Sequence, residues 1–273
     1  MLLRVLLISG LVVFLLSCSK DKPIYQATTK IDPYTSYKEG FEQFENSQYF
    51  AANKKFSEAE INFNVPELAA KSAMMASFSL YGINFYEEAE ENLLRYLRTY
   101  PADRYVMYAH YLLAIIYFEQ IGDEKHDLKP LLNAKEKIDF FLKKFPNSEY
   151  SIDLNLKRNL VENQFAAREL YIVKYYTSVQ KWIPAINRLK IIVKEYDKTV
   201  FIEEALHRLV EINYHIGLED EAKKYANILG YNYNSSEWFE RSYKVFNKNY
   251  EVIKKSEIKK EKSFFDKIIK MIK

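Results

Sequence analysis

The sequence contains one cysteine, Cys18, which has a reactive thiol and directly follows an apolar N-terminal run. A single cysteine cannot form an internal disulfide, and it cannot supply the several thiolates of a Cys-based zinc site. The sequence contains no motif of the serine hydrolases, the P-loop or dinucleotide-binding proteins, or the HExxH metallopeptidases. No cysteine or carboxylate pattern completes a metal site around the four histidines, which are His110, His126, His207 and His215. The sequence therefore predicts no catalytic residue, no metal site and no cofactor.

The segment before Cys18 has the features of a bacterial secretion signal. Arg4 gives it a positive charge, and the apolar run that follows is shorter than the roughly 20 residues of a membrane-spanning helix. The ending Leu15-Leu16-Ser17-Cys18 resembles the lipobox, in which cleavage precedes a cysteine that then carries lipid through its sulfur. We expect a signal peptide over 1–17, lipidation of Cys18 and a polar tether over 18–33. An uncleaved N-terminal membrane anchor is the alternative.

The overall composition indicates a helical protein with protein partners. The 273 residues are enough for one sizeable core or for a solenoid of repeats. Only 6 glycines and 7 prolines are present, which disfavours Gly-rich phosphate loops and β-folds with many turns. The 40 basic residues nearly balance the 37 acidic ones, which argues against a general nucleic-acid binder.

Beyond residue 34 the apolar residues have helical spacing, and one pattern occurs five times. An alanine is followed at offset 4 by another apolar residue, at offset 11 by an aromatic residue, and then at once by a helix breaker or turn former. The alanine lets two antiparallel helices approach closely, and the aromatic residue closes the helix end. The alanines are Ala52, Ala89, Ala134, Ala185 and Ala222. The closing aromatic residues are Phe63, Tyr100, Phe145, Tyr196 and Tyr233.

This pattern resembles the second helix of the tetratricopeptide repeat, in which a proline follows the alanine by twelve residues, as Pro101 and Pro146 do here. A polar loop around 119–130 lengthens the third repeat. The stretch 148–178 contains no helix breaker and predicts one long helix. We therefore expect an all-α, right-handed solenoid of about five helix pairs. Repeats one to three would occupy 34–147, and the long helix with repeats four and five would occupy 148–250.

The most specific pattern lies at residues 165–196, which read FAARELYIVKYYTSVQKWIPAINRLKIIVKEY. An A-x-x-E-L-Y-x-x-x-Y-Y stretch on a long helix, followed by W-x-x-A-x-N-R-L, resembles the BamD family of lipoproteins of the outer-membrane β-barrel assembly machinery. The pair Tyr37 and Gly40 and the run at 145–150 agree with this resemblance. It extends over roughly residues 34–240, together with the lipobox.

The resemblance implies a non-enzymatic scaffold, lipid-anchored on the periplasmic face of the outer membrane. The implied partners are a BamA-like barrel assembly protein, other Bam lipoproteins and unfolded outer-membrane proteins. The resemblance places the contact with the barrel assembly protein at Asn187 and Arg188, since a guanidinium can hold a carboxylate through two hydrogen bonds. Pairing of Arg188 within the fold is the alternative. It also implies a substrate groove in the N-terminal repeats, for which the aromatic candidates are Tyr37, Phe41, Tyr81, Tyr108 and Tyr111.

The C-terminal tail over 251–273 departs from the family pattern, with eight lysines against four acidic residues. Its apolar residues would share one helix face, which is typical of a basic amphipathic helix for a membrane surface or a partner groove. A capping helix on the solenoid or a solvated end is the alternative.

For the whole chain, two alternatives to the BamD function stay open. One is another exported repeat lipoprotein, such as a pilus secretin assembly factor, and the other is an exported enzyme with scattered groove residues.

Overall fold

A computed structural model describes residues 31–247, which form eleven α-helices and no strand within that range. The all-α class predicted from the sequence is confirmed. The chain divides into two compact units between Ile83 and Asn84. The first unit contains α1 (Pro33–Glu45), α2 (Tyr49–Asn62) and α3 (Pro66–Tyr81). The second contains α4 (Tyr86–Thr99), α5 (Val106–Glu119), α6 (Leu128–Lys144), α7 (Tyr150–Ser178), α8 (Trp182–Glu195), α9 (Ile202–His215), α10 (Glu219–Asn232) and α11 (Glu237–Phe246).

In the first unit, α2 packs on both α1 and α3. Helix α1 begins at Pro33 because the carboxylate of Asp32 accepts the backbone N–H of Thr35 at 3.1 Å, and proline is favoured in a first turn. Gly40 gives α1 room at this contact, since a Cβ there would lie 3.0 Å from the ring of Phe56, closer than an ordinary van der Waals contact. This close approach lets α1 lie directly against the core of α2.

The five-fold repeat predicted from the sequence is confirmed in α2, α4, α6, α8 and α10. All five alanines are fully buried. Each closing aromatic residue follows the last helical residue, and its backbone N–H donates to the carbonyl four residues earlier. A further position, offset 7, escaped the sequence analysis although it lies on the same helix face. Its residues are fully buried in every repeat: Ala59, Tyr96, Phe141, Ile192 and Leu229.

In the second unit each helix from α5 to α10 packs on the next one along the chain. Helix α7 has 29 residues, as the breaker-free stretch predicts, and buries Leu154, Val161 and Val173. The predicted boundary between 147 and 148 lies inside this unit. The chain stays packed there because α6 contacts α7, and the hydroxyl of Ser151 donates to the carbonyl of Phe145 at 2.6 Å.

Helix α11 covers the last repeat, and the sequence analysis did not distinguish it. Its start is capped by Ser236, whose hydroxyl accepts the backbone N–H of Phe239 at 3.1 Å. Its outer face bears two ion pairs, with Arg241 and Lys244 as the basic partners. A polar outer face on an end helix is what a terminal repeat needs for solubility. Its inner side packs aromatic rings on the core of α8–α10: Trp238, Phe239, Tyr243 and Phe246.

The predicted signal peptide, Cys18, nearly all of the tether and the tail over 251–273 lie outside the described residues. Between residues 31 and 247, no helix is both long enough and apolar enough to cross a membrane.

Candidate partner-binding surface

Asn187 and Arg188 lie on α8 next to its buried positions, which are Ala185, Ile186, Leu189 and Ile192. At about 100° per residue, Asn187 points away from this buried face, and Arg188 lies at its edge, where it reaches α7. Asn187 is exposed and Arg188 is partly exposed. This placement makes both side chains accessible to a partner.

Arg188 also forms an ion pair within the chain, as the alternative interpretation expected. Its Nη1 atom donates to Oε2 of Glu169 on α7 at 3.3 Å. The side chain of Arg188 is 39% exposed, whereas that of Glu169 is 16% exposed. A guanidinium has five N–H donors, so one contact leaves capacity for a second carboxylate. Glu169 therefore fixes the direction of Arg188 without using its full donor set.

A partly buried tyrosine, Tyr196, lies near Glu169 and two further acidic residues. Burial raises the pKa of Tyr196, and the neighbouring carboxylates of Glu195, Glu169 and Glu162 raise it further. The Tyr196 ring stacks on Phe165 with a centroid distance of 5.8 Å and an interplanar angle of 2°. The closing aromatic residue of this repeat therefore joins α7 to the end of α8, and it stays protonated beside the acidic residues.

An exposed apolar strip follows the first half of α7. Ile152, Leu156 and Leu160 are spaced four residues apart and are 73%, 62% and 56% exposed. Val200, in the turn before α9, is 76% exposed. Val200 and Leu160 line one groove, together with Phe118 at the end of α5. We call these four residues, Ile152, Leu156, Leu160 and Val200, the α7 apolar surface. Large aliphatic residues exposed together on one face are typical of a contact site for another molecule.

Polar side chains of α7 hold the two loops that border this surface. The amide of Gln164 donates to the carbonyl of Gly122 at 3.0 Å, and Arg168 donates to the carbonyl of His126 at 2.7 Å. The carbonyl oxygen of the Asn163 side chain accepts the backbone N–H of Val200 at 3.0 Å. The groove is therefore preformed. The spacing of the three aliphatic residues on a predicted long helix was the signal that could have revealed it.

The five predicted groove aromatics fall in both units. In the first unit Tyr37 packs on Phe56 with a centroid distance of 5.3 Å, Phe41 is 42% exposed, and Tyr81 stacks on Phe78 at 6.0 Å. Tyr37 therefore packs against the core, whereas the ring of Phe41 is exposed.

In the second unit Tyr108 and Tyr111 lie together, with ring centroids 5.9 Å apart. Tyr150, which the sequence analysis did not single out, joins them and stacks on Tyr111 at 4.5 Å. The hydroxyl of Tyr111 donates to the carboxylate of Asp153 at 3.0 Å. This cluster ties the start of α7 to α5 and leaves the three rings only partly buried.

No group of three or more histidine, cysteine, aspartate or glutamate side chains within residues 31–247 is arranged to hold a metal ion.

Comparison with protein families gives a match to the family described as YfiO, outer membrane lipoprotein, over residues 29–229. The chain belongs to the YfiO family. It is 35% identical to the outer membrane protein assembly factor BamD of Rickettsia prowazekii over 250 residues, covering 92% of this chain and 98% of the relative. It is 33% identical to the protein of the same name from Caulobacter vibrioides over 213 residues, covering 78% and 70%. The BamD of Neisseria gonorrhoeae is 24% identical over 188 residues, covering 65% and 70%.

Membership of the YfiO family agrees with the resemblance seen in residues 165–196. The matched range includes the first four repeats and the whole of α7, and it ends within α10, the second helix of the fifth repeat. Helix α11 and the tail after it lie beyond the matched range.

Proposed function

We propose that this chain is a lipid-anchored, non-enzymatic scaffold that acts in the assembly of outer-membrane β-barrel proteins. The observation that carries the proposal is its similarity, over almost the whole length of both chains, to a protein named as an outer membrane protein assembly factor. The all-α repeat fold agrees with this role, because stacked helix pairs present extended surfaces for protein partners.

The proposed anchor is lipid on the sulfur of Cys18, which would hold the chain on the periplasmic face of the outer membrane. The lipobox ending at Cys18 and the family description as an outer membrane lipoprotein support it. Stable anchoring by lipid takes more than one acyl chain. A lipoprotein that carries both a thioether-linked diacylglyceryl group and an acylated amino terminus meets that condition.

The proposed contact with a BamA-like barrel assembly protein lies at Asn187 and Arg188. Asn187 is exposed, and Arg188 keeps donor capacity beyond its pair with Glu169. Because Glu169 already orients the guanidinium, binding of a partner carboxylate would cost less side-chain conformational entropy.

The proposed sites for unfolded outer-membrane proteins are the half-buried aromatic residues of each unit and the α7 apolar surface. Aromatic rings contribute large contact areas with few rotatable bonds, so they bind extended apolar segments at low entropic cost. The α7 apolar surface adds exposed aliphatic side chains, which an apolar segment could cover. Other Bam lipoproteins are proposed as further partners of the same assembly.

The decisive experiment is co-purification of the detergent-solubilised chain with the barrel assembly protein of the same organism. We expect the wild-type chain to retain the partner. We expect Arg188→Glu to lower recovery at least tenfold, because it reverses the charge that meets the partner carboxylate and adds repulsion against Glu169. The helical circular dichroism should stay unchanged, since losing one partly exposed ion pair and adding a like charge costs about 1–2 kcal/mol, a fraction of the folding free energy of a domain.

A matched control is Lys190→Glu, which makes the same charge change at an exposed position on the same helix. Two residues along a helix turn the side chain by about 200°, so Lys190 faces a different direction and recovery should stay near wild type. A second variant, Glu169→Gln, removes the charge that orients Arg188 but keeps the guanidinium itself, so recovery should fall much less than with Arg188→Glu. Equal recovery with Arg188→Glu and with Lys190→Glu would exclude the proposed Arg188 contact. No recovery of a barrel protein by the wild-type chain would overturn the assembly role.

A further inference from the structure

A groove with a mostly apolar wall lies where α8, α9 and α11 meet, and we call it the α11 groove. The last turns of α9 and α11 and the first residue of α8 line it, together with a threonine near the end of α7. Ile212 is 5% exposed and Tyr214 is 38% exposed, so the wall extends from the core to the surface. The apolar residues of the wall are Trp182, Ile212, Tyr214 and Val245.

Contacts between aromatic rings fix the shape of this wall. The rings of Trp182 and His215 meet edge to face with a centroid distance of 4.7 Å, which joins the start of α8 to the end of α9. The rings of Tyr214 and Phe246 meet in the same way at 5.4 Å, which joins α9 to the end of α11. The α11 groove is therefore preformed by side chains that hold three helices together.

One acidic side chain, that of Glu211, also lines the α11 groove. This side chain is 50% exposed, and Oε1 lies 3.3 Å from Nε2 of His207. A carboxylate accepts several hydrogen bonds, so this contact leaves it free to accept others. The chemistry that fits the groove is therefore an apolar face with a positive charge beside it.

The sequence of the tail after α11 has both of these properties. Four large apolar residues stand at offsets 0, 3, 4 and 7, which is the spacing of a helix that binds an apolar groove through one face. They are Phe265, Ile268, Ile269 and Ile272. Over 251–273 the tail has eight lysines against four acidic residues, so a lysine is close to every part of that face.

The tail also starts beside the α11 groove. Val245 lines the groove, and it precedes Asn247, the last described residue, by two positions. The linker over 248–264 spans at most about 55–60 Å, and its average end-to-end distance as a coil is about 20–25 Å. A ligand on a linker of this kind has an effective concentration on the order of millimolar, so even weak binding would fill the groove. The α7 apolar surface borders a different groove, which residues of α5, the following loop, α7 and the turn before α9 line.

We propose that residues 265–272 bind in the α11 groove of the same chain. Their apolar face would contact Trp182, Tyr214 and Val245, and a neighbouring lysine would pair with Glu211. Bound in this way, the tail would cover apolar surface at the end of the repeats, as a terminal cap does. A protein partner that uses the α11 groove would have to displace the tail first.

Site-specific photocrosslinking in the full chain tests the proposal. The photoreactive residue p-benzoylphenylalanine replaces Tyr214, and the tryptic peptides that are joined after irradiation are identified by mass spectrometry. We expect the main crosslink to reach the peptide 263–267. The reciprocal probe at position 265 should reach the peptide 209–223, which contains the groove residues of α9. A probe at Tyr231, which is 89% exposed on α10 and does not line the groove, should give no crosslink to the tail.

Two variants of the tail separate apolar binding from charge. With the probe at Tyr214, Ile268→Asp should lower the crosslink yield at least fivefold, because it places a carboxylate in the apolar contact. The matched control is Lys270→Gln, which makes the net charge more negative by the same one unit. Lys270 would lie on the opposite helix face, so the yield should stay within about twofold of wild type. The absence of a crosslink between position 214 and the tail, or an equal yield in both variants, would overturn the proposal.

Two further measurements exclude other occupants and other tail sites. In a mixture of ¹⁵N-labelled and unlabelled chains, we expect products in which both peptides carry the same label. Mixed products in the statistical proportion would overturn the proposal, because they assign the groove to the tail of a second copy. The yield should also be equal in the presence of phosphatidylcholine vesicles and of phosphatidylglycerol vesicles. Loss of the crosslink with phosphatidylglycerol alone would overturn it as well, because the tail would then prefer an anionic membrane surface.

Discussion

Tyr96 allows a direct measurement of how firmly a repeat helix is tied to the turn after it. The ring is fully buried, and its hydroxyl donates a hydrogen bond to the carboxylate of Asp103, in the turn before α5. The same carboxylate oxygen accepts the backbone N–H of Tyr105 at 3.0 Å. The substitution Tyr96→Phe keeps the ring and removes only the hydroxyl. It therefore isolates one hydrogen bond in an otherwise unchanged core.

The expected loss follows from the groups that remain. A hydrogen bond to a charged group contributes about 1.5–3 kcal/mol to stability. Asp103 is partly exposed and keeps the N–H of Tyr105, so water can replace part of what the hydroxyl supplied. We therefore expect Tyr96→Phe to lower the free energy of unfolding by about 1.5–2 kcal/mol, in the lower part of that range. In a unit of this size the corresponding fall in Tm is about 3–8 °C.

Urea and thermal unfolding followed by far-ultraviolet circular dichroism would measure this change. Tyr231→Phe is the matched control, because that tyrosine is 89% exposed on α10 and should change stability by less than about 0.5 kcal/mol. A double-mutant cycle with Asp103→Asn should give a coupling energy of about 1 kcal/mol. Equal effects of the two tyrosine substitutions, or a coupling energy near zero, would refute the assignment of Tyr96 as the tie to the turn.

Three further predictions address the anchor, the pH dependence and the loop before α6. Cys18→Ala should abolish fractionation with the outer membrane, and continued fractionation would refute lipid attachment there. Burial, assisted by the charge of Lys144, lowers the pKa of His110 to about 4, so as the pH falls this histidine is protonated in the unfolded chain before it is protonated in the folded one. Between pH 7 and pH 5 the free energy of unfolding of the wild-type chain should therefore fall by about 1–2 kcal/mol more than that of His110→Gln. The same pH dependence of stability in both chains would contradict this. Arg168→Ala removes the donor to the carbonyl of His126, so trypsin should cut faster after Lys125 while Tm falls only a few degrees.

The helix pairs were predictable because each repeat carries its own local signal. A small residue such as Ala134, followed eleven residues later by an aromatic residue and then by a breaker, specifies close packing and a helix end together. The long helix followed from the lack of any breaker between 148 and 178. These features depend on spacing along one segment, which a single sequence displays directly.

The parts that were missed depend on contacts between distant residues or on exposure. The pair of Arg188 with Glu169 joins positions 19 residues apart, and nothing in either segment alone indicates which acid the arginine meets. The exposure of Ile152 depends on which residues pack against α7, and the spacing within one helix does not show this. Helix α11 is short, and its role depends on its contact with α9 and α10. The division between Ile83 and Asn84 likewise depends on which helices contact one another, and composition does not show this.

The loop between α5 and α6 is fastened through its own main chain, since Gln164 and Arg168 both donate to backbone carbonyls of that loop. A carbonyl is present whatever the side chain, so the loop can keep its path while its residue types vary. Such a loop is a natural place for a reporter group. A fluorophore introduced at an exposed loop position such as Lys125 would stay at a defined distance from α7 without disturbing any helix pair.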